Sequence, residues 1–376
     1  MIQQELTYWV TLAMIPRIWT KRKNELYVKC YKHQPQVSII QLFEDERLWQ
    51  ELGMSQEEMS AFVSAKTQLP NNSFLVEQLL EQGYHIITLD SADYPQTLKD
   101  NLKMGAPSVL FAKGNIQMLK KTSVAVVGSR NASEVSLNFT ANVAHEQVAK
   151  GKVIVSGYAK GVDRKALEAA LEINGESIIV LPQGITTFAS GFKAYYKYIM
   201  QGKLLVVSTF HPNAPWSVEL AMARNQIIYG LADSIFVAQS DDKGGTWSGV
   251  MDGLRKGRQI FVRLPHENEN NANKIIIQKG ATPVDMNGVP IVLTAESLMT
   301  DEEKRQKELS ESVQRLLLAG LFTSQEIRDK LNLDWTDAKM KKYLRCIPDV
   351  RETRIKNKLY FNISYAGQQE LFAWNT

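Results

Sequence analysis

The chain has 376 residues, of which 44% are hydrophobic and 22% are charged, and its formal net charge at pH 7 is +4. This composition is typical of a globular protein with two or three domains. The small net charge excludes a strongly basic protein, so contacts with nucleic acid have to be sought in local patches. The N-terminal segment has no signal-peptide pattern, and no apolar run reaches the roughly 20 residues of a membrane span. We therefore expect a cytoplasmic protein with no membrane partner.

Residues 1–82 are predicted to form a helical domain. Tyr8, Trp9 and Leu12 recur at helical spacing, and Pro16 ends the pattern. From Gly83 onwards the pattern changes to short β-type runs separated by turns. These runs lead into a second predicted domain, residues 83–299.

Short apolar runs alternate with helical stretches between residues 123 and 263. The predicted strands are Val124–Val127, Val153–Val155, Ile178–Leu181, Leu204–Val207, Ile235–Ala238 and Ile260–Val262. Continuous apolar strands separated by helices predict a parallel sheet that is covered on both faces. The fold class is therefore α/β, with a Rossmann-like, doubly wound and mainly parallel sheet. In such sheets the ligand lies at the carboxyl ends of the strands.

Residues 311–376 are predicted to form a winged helix. Thr323 and Glu326 have the spacing of a capping box at a helix start, and two short β-type runs joined at Lys356-Asn357 follow the last helix. Residues 335–360 carry eight Lys or Arg against three acids, a local excess that suits DNA. A protein-interaction module explains the same pattern equally well, so both possibilities stay open.

Loops rich in glycine and basic residues follow several of the predicted strands. The candidate DNA-binding residues in these loops and in one nearby helix are Gly128, Ser129, Arg130, Ser156, Gly157, Lys160, Gly161, Arg224, Asn225, Lys243, Gly244, Gly245 and Thr246. Glycine lets backbone N–H groups approach an anion, and a helix N-terminus favours negative charge. Asp163 is interpreted as a structural residue that orders the second of these loops, Ser156–Asp163. Because parallel strands end at one edge, these groups are expected to form a common site for a polyanion.

Several kinds of chemistry have no matching motif. No Gly-x-Gly-x-x-Gly follows a strand, and there is no Walker A sequence, so neither a dinucleotide cofactor nor ATP hydrolysis is expected. His145-Glu146 lacks the second histidine of a zinc helix, and no Gly-x-Ser-x-Gly elbow is present. The sequence therefore predicts no cofactor, no metal and no catalytic residue.

The motifs between residues 83 and 263 resemble those of the DNA-processing protein A family. The similar segments are Val124–Arg130, Val155–Asp163, Ala223–Ile228, Gly244–Thr246 and the lead-in Asp90–Pro95. The resemblance implies a non-enzymatic protein that binds single-stranded DNA and assists loading of a RecA-like recombinase in recombination, transformation or repair. It also implies a homodimer. Gln226 stands where the family usually has a second basic residue, which indicates a divergent subgroup.

Two other functions are compatible with the loops. One is a nucleotide-processing hydrolase of the lysine-decarboxylase-like fold, although the glutamate expected after its glycine loop is missing from Lys243–Gly249. The other is a nucleotide-sensing defence module that binds a small phosphorylated ligand. Release of a free base would indicate the first, and preferential binding of nucleotides over oligo-dT the second.

Overall fold

A computed structural model describes residues 3–266, 269–293 and 301–363, leaving aside the side chain of residue 301. The chain divides into two compact units, Met1–Val292 and Leu293–Thr376. Within the described ranges, no helix is both long enough and apolar enough to cross a membrane.

The first unit begins with a group of helices. They are α1 (Gln3–Met14), α2 (Thr20–Lys32), α3 (Ile39–Glu44), α4 (Arg47–Glu51), α5 (Gln56–Lys66) and α6 (Leu69–Glu81). Trp9, Phe43 and Phe62 are fully buried between them, and the same core cluster continues into Val109 and Phe111 of the sheet. The helical N-terminal region is thus present as predicted, and it shares apolar packing with the sheet. The division of this unit at residue 82 stays a prediction.

Among the residues that the structure describes, a nine-stranded sheet forms the centre of the first unit. Its strands are β1 (His85–Thr88), β2 (Val109–Gly114), β3 (Ser123–Val127), β4 (Val153–Ser156), β5 (Ser177–Val180), β6 (Leu204–Ser208), β7 (Ser234–Val237), β8 (Ile260–Arg263) and β9 (Thr282–Val284). Their order in space is β1-β2-β6-β5-β4-β3-β7-β8-β9. In this spatial order, every neighbouring pair from β6 through β5, β4, β3, β7 and β8 to β9 is parallel. Strand β2 instead pairs antiparallel with both β1 and β6. The predicted mainly parallel α/β sheet is therefore confirmed, and β9 is a strand that the sequence pattern did not reveal.

Helices connect the strands. They are α7 (Gln96–Leu102), α8 (Glu134–Ala149), α9 (Val162–Glu172), α10 (Ala189–Met200), α11 (Val218–Leu231), α12 (Gly244–Arg255) and α13 (Asn273–Gln278). The chain winds from β3 through β4 and β5 to β6, and then returns to place β7 on the other side of β3. The connections after β3 and β7 therefore leave the sheet in different directions. Such a switch point opens a crevice at the carboxyl ends of the two strands.

Within the described range 301–363, the second unit contains three helices and a hairpin. These are α14 (Asp301–Ala319), α15 (Ser324–Lys330), α16 (Asp337–Cys346), β10 (Val350–Ile355) and β11 (Lys358–Ile363). Thr323 and Glu326 form the predicted capping box at the start of α15. Leu317, Ile327 and Phe361 are buried in a separate small core. The elements match those expected of a winged helix, and the assignment to that class stays a prediction.

Asn24 provides a test of how the helical region is attached to the sheet. Its side chain is buried, and its Nδ2 donates to the carbonyl oxygens of Met104 at 2.9 Å and Ala106 at 2.7 Å. Replacing Asn24 with alanine leaves these buried acceptors without a donor, so we expect Asn24→Ala to lower the free energy of unfolding by about 2 kcal/mol. Urea unfolding followed by tryptophan fluorescence measures the change.

The exposed Asn71 on α6 is the matched control, because its amide bonds only to the exposed side chain of Gln68. Asn71→Ala is expected to change the free energy of unfolding by less than about 0.5 kcal/mol. Equal effects of the two substitutions would contradict the anchoring role of Asn24.

Candidate functional site

A cavity of about 400 Å³ lies at the switch point, beyond the carboxyl ends of β3 and β7. It collects residues from most of the sequence-predicted positions, although these are far apart along the chain. Those that line it are Gly128, Ser129, Arg130, Asp163, Arg224, Asn225, Lys243, Gly244, Gly245 and Thr246. The structure thus brings these ten residues together at one edge of the sheet. Ser156, Gly157, Lys160 and Gly161 do not line the cavity.

The first loop, Gly128–Arg130, is held close to its neighbours by backbone contacts. The N–H of Ser129 donates to the carbonyl oxygen of Gln239 at 2.9 Å, which links the ends of β3 and β7. A Cβ on Gly161 would lie 2.5 Å from the carbonyl oxygen of Ser129, and Gly161 has a φ of +85°. Only glycine allows this approach and this backbone conformation together. Gly161 therefore shapes the site by letting the second loop pack against the first.

The second loop surrounds a buried ion pair. Arg224 is 3% exposed, and its Nη1 lies 3.8 Å from Oδ2 of Asp163. A Cβ on Gly157 would lie 1.3 Å from that same Nη1, so the glycine provides the space that the guanidinium fills. Ser156 supports the arrangement, since its hydroxyl donates to the carbonyl oxygen of Asp163 at 2.9 Å. Asp163, in the first turn of α9, thus ties the start of that helix to the second loop.

The buried guanidinium has fewer partners than it can accept. Nη1 of Arg224 donates to the carbonyl oxygen of Val180 at 3.3 Å, and within the described part of the chain its Nε is buried without a hydrogen-bond partner. Burial raises the pKa of the Asp163 carboxyl, against the opposing effects of Arg224 and of backbone N–H groups in the loop. Burial lowers the pKa of Arg224, which still remains a cation because arginine does not deprotonate in proteins. Arg224 therefore supplies positive charge beneath the cavity.

Exposed cations complete the positive side of the site. Arg130 and Lys243 line the cavity with exposed side chains, while Asp241 is the exposed acid on the same wall. Gly244, with a φ of +88°, begins α12. The first-turn N–H groups of that helix, which have no partner within it, therefore belong to residues that line the cavity, namely Gly244, Gly245 and Thr246. Lys160 is exposed outside the cavity. The balance of charges and N–H donors suits an anion.

A buried arginine, Arg263, connects the segments that follow β3, β7 and β8, and it was not identified from the sequence. Arg263, at the end of β8, is fully buried and donates to the carbonyl oxygen of Ala238 at 3.0 Å and to Glu269. It also donates to Oγ of Ser136 at 3.1 Å, and Ser136 donates to the side chain of Gln239. The signal in the sequence was a charged residue ending an apolar strand.

Metal chemistry has no evident ligand set in the ranges that the structure describes. Those residues include no group of three or more His, Cys, Asp or Glu side chains that could hold a metal ion. The cavity instead combines cations, glycine N–H groups and the amide of Asn225, whose Nδ2 lies 3.4 Å from the carbonyl oxygen of Gly245.

The fold and the site together define a Rossmann-like protein with a cationic crevice at the switch point of its sheet. The family model described as DNA recombination-mediator protein A matches residues 85–292, and the chain belongs to that family. The resemblance found in the sequence motifs is therefore confirmed.

Individual relatives are similar over part of their length. The DNA processing protein DprA of Bacillus subtilis is 31% identical over 184 residues, which are 48% of this chain and 61% of that protein. Protein Smf of Escherichia coli is 33% identical over 186 residues, which are 49% of each chain. The chain spans about half to three-fifths of the length of the curated relatives that it matches first.

A solved structure supports the fold independently. The crystal structure of DNA processing protein A from Streptococcus pneumoniae aligns with a TM-score of 0.60 and 24% identity, covering 76% of this chain and 95% of the other. At this identity the likeness concerns the fold.

Glu269 tests the contribution of the buried network. Arg263 holds the pKa of the Glu269 carboxyl below its ordinary value of 4.5, so this ion pair stabilises the folded chain fully above pH 4.5 and loses its effect as the pH falls through the depressed pKa. Glu269→Gln leaves Arg263 without a counter-ion, and we expect a loss of about 2 kcal/mol at pH 7 that shrinks below pH 4.5. Denaturant unfolding across pH measures both effects.

Glu172→Gln, at the exposed end of α9, is the control and should leave the pH profile unchanged. A Glu269→Gln loss that stays constant from neutral to acid pH would show that the carboxylate charge is not what stabilises Arg263.

Proposed function

We propose that the switch-point cavity binds single-stranded DNA. The observation that carries this proposal is the convergence of Arg130, Arg224 and Lys243 with two glycine loops on one cavity of about 400 Å³. Fixed cations and backbone N–H groups are the donors that hold phosphates without reading sequence. Membership of a DNA recombination-mediator family supports DNA as the source of those phosphates.

The concave shape favours a single strand over a duplex. A cavity of this volume admits a phosphodiester with a nucleotide attached, whereas the backbone of a duplex is convex and its bases are stacked inside. A dinucleotide cofactor would require the Gly-x-Gly-x-x-Gly turn, and Gly128-Ser129-Arg130 lacks that pattern.

The candidate residues divide into two roles. Arg130 and Lys243 are exposed and would contact phosphates directly, together with N–H groups of Gly128, Ser129, Gly244 and Gly245. The buried Arg224 would attract the phosphate from beneath the cavity, and Asn225 and Thr246 would add hydrogen bonds. Ser156, Gly157 and Gly161 would act through the shape of the second loop, with Asp163 as its anchor. Lys160 would meet the strand outside the cavity.

The site is proposed to bind without catalysis. The carboxylate of Asp163 lies in a buried environment with Arg224 and accepts N–H groups of Ala159 and Gly157, so its acceptor capacity is used structurally. A general acid or base needs access to a reacting group within hydrogen-bond distance. Ordering of the loop is the role that this geometry supports.

The cationic contacts can be tested by their salt dependence. We expect Arg130→Ala and Lys243→Ala to weaken binding of oligo-dT, and each lost phosphate contact to lower the slope of log affinity against log salt by about 0.7. Lys150→Ala is the matched control, because Lys150 is an exposed cation after α8, at the opposite edge of the sheet. Fluorescence anisotropy from low to high salt measures the slopes.

Undiminished affinity in both site variants would contradict the proposed site. Tighter binding of free nucleotides than of oligo-dT, measured by thermal shift, would favour the nucleotide-sensing module. Release of a base from nucleoside monophosphates would favour the hydrolase.

The resemblance in the motifs also motivates finer proposals. We infer a homodimer, a cytoplasmic location and delivery of the bound strand to a RecA-like recombinase in recombination, transformation or repair. The second unit would add a basic winged helix that contacts DNA or protein.

The dimer has a direct measurement. Light scattering of the full chain should give about twice the monomer mass of 42.5 kDa. A mass that stays at the monomer value across concentration would rule the dimer out while leaving the strand-binding proposal intact.

A further inference from the structure

A second cavity of about 150 Å³ adjoins the switch-point cavity, between α11 and α12. Met222, Asn225, Tyr229 and Gly245 line both cavities, so the two are continuous along one wall. Its volume is well below the roughly 300 Å³ at which pockets for drug-sized ligands begin, and it suits a fragment such as one planar ring system.

The cations of this second cavity are already engaged. Nζ of Lys256 lies 2.7 Å from Oδ2 of Asp252. Arg258 donates from Nη1 to the carbonyl oxygen of Tyr229 at 2.7 Å and from Nη2 to that of Ala232. A phosphate entering here would compete with these bonds, unlike one near Arg130 and Lys243. The second cavity is therefore poorly suited to an anion.

Its uncommitted groups are neutral. The Gln226 amide and the Ser248 hydroxyl line the cavity without a hydrogen-bond partner among the described residues. Tyr229 is 7% exposed, and its hydroxyl is buried and unpartnered in the described part of the chain. An amide both donates and accepts, which matches the edge of a nucleobase, while Leu102 and Met222 offer apolar surface to its face.

We propose that this second cavity receives a nucleobase of the strand whose phosphate lies in the switch-point cavity. The inference rests on the proposed function, and it assigns to Gln226 and Ser248 the recognition of a base rather than of the backbone. Gln226, which replaces a basic residue expected from the sequence motif, then exchanges a phosphate contact for a base contact.

The test compares oligo-dT with an abasic oligonucleotide of equal length, because the two carry the same phosphates. The full chain should bind oligo-dT more tightly. Gln226→Leu keeps the side-chain size and removes the amide, so it should weaken oligo-dT binding about fivefold, as expected for one neutral hydrogen bond, and leave abasic binding and the salt slope unchanged.

Two further variants separate base binding from folding. Ser248→Phe fills the cavity from an exposed position and should reduce the preference for oligo-dT, whereas Ala223→Phe places the same bulk on an exposed position of α11 that lines neither cavity and should not.

The outcomes distinguish the two proposals. The base assignment is overturned if the unmodified chain binds both oligonucleotides with equal affinity. It is also overturned if Gln226→Leu and Ser248→Phe leave the preference for oligo-dT unchanged. In either case the proposed function stands as long as Arg130→Ala still weakens binding of both oligonucleotides. Absence of binding to either oligonucleotide by the unmodified chain overturns the proposed function and the base assignment with it.

Discussion

Burial of the Arg263 guanidinium is the constraint on which the loops of the site depend. A buried cation has to be surrounded by acceptors, and this one gathers them from the end of β7, the start of α8 and the segment after β8. Gln239 extends the network to the first loop through the backbone of Ser129. The need to satisfy one guanidinium thereby fixes several loops that the sheet alone would leave independent.

The site itself separates charge by depth. Arg224 lies beneath the cavity beside Asp163, where low polarity strengthens electrostatic interactions, and Arg130 and Lys243 lie at the surface, where salt screens them. A strand bound as proposed would therefore encounter weak, screened attraction first and a stronger, directional field only once its phosphate is inside. This gradient suits the proposed binding of a strand through its phosphates, because it would hold a phosphate in a defined place.

The sequence predicted the sheet well because each central strand is a continuous apolar run, buried on both faces. It also predicted that the glycine loops meet, since parallel strands end at one edge. It did not reveal β9, whose three residues include a proline, nor that Arg224 is buried. The burial of Arg224 cannot be predicted from its helix, because it depends on the space that Gly157 leaves on a separate loop. The role of Arg263 was hidden because its acceptors come from three segments that are separate in the sequence.

The space at Gly157 has a consequence for how this chain can change. Any side chain there would overlap the guanidinium of Arg224, so neither position can be altered freely while the other keeps its present residue. A larger residue at 157 becomes acceptable only after 224 has shortened, and that change would leave the Asp163 carboxylate buried beside no cation. The three positions are thus coupled, because neutralising Asp163 first would in turn leave Arg224 buried without a counter-ion, and a variant library that samples them singly would find only losses.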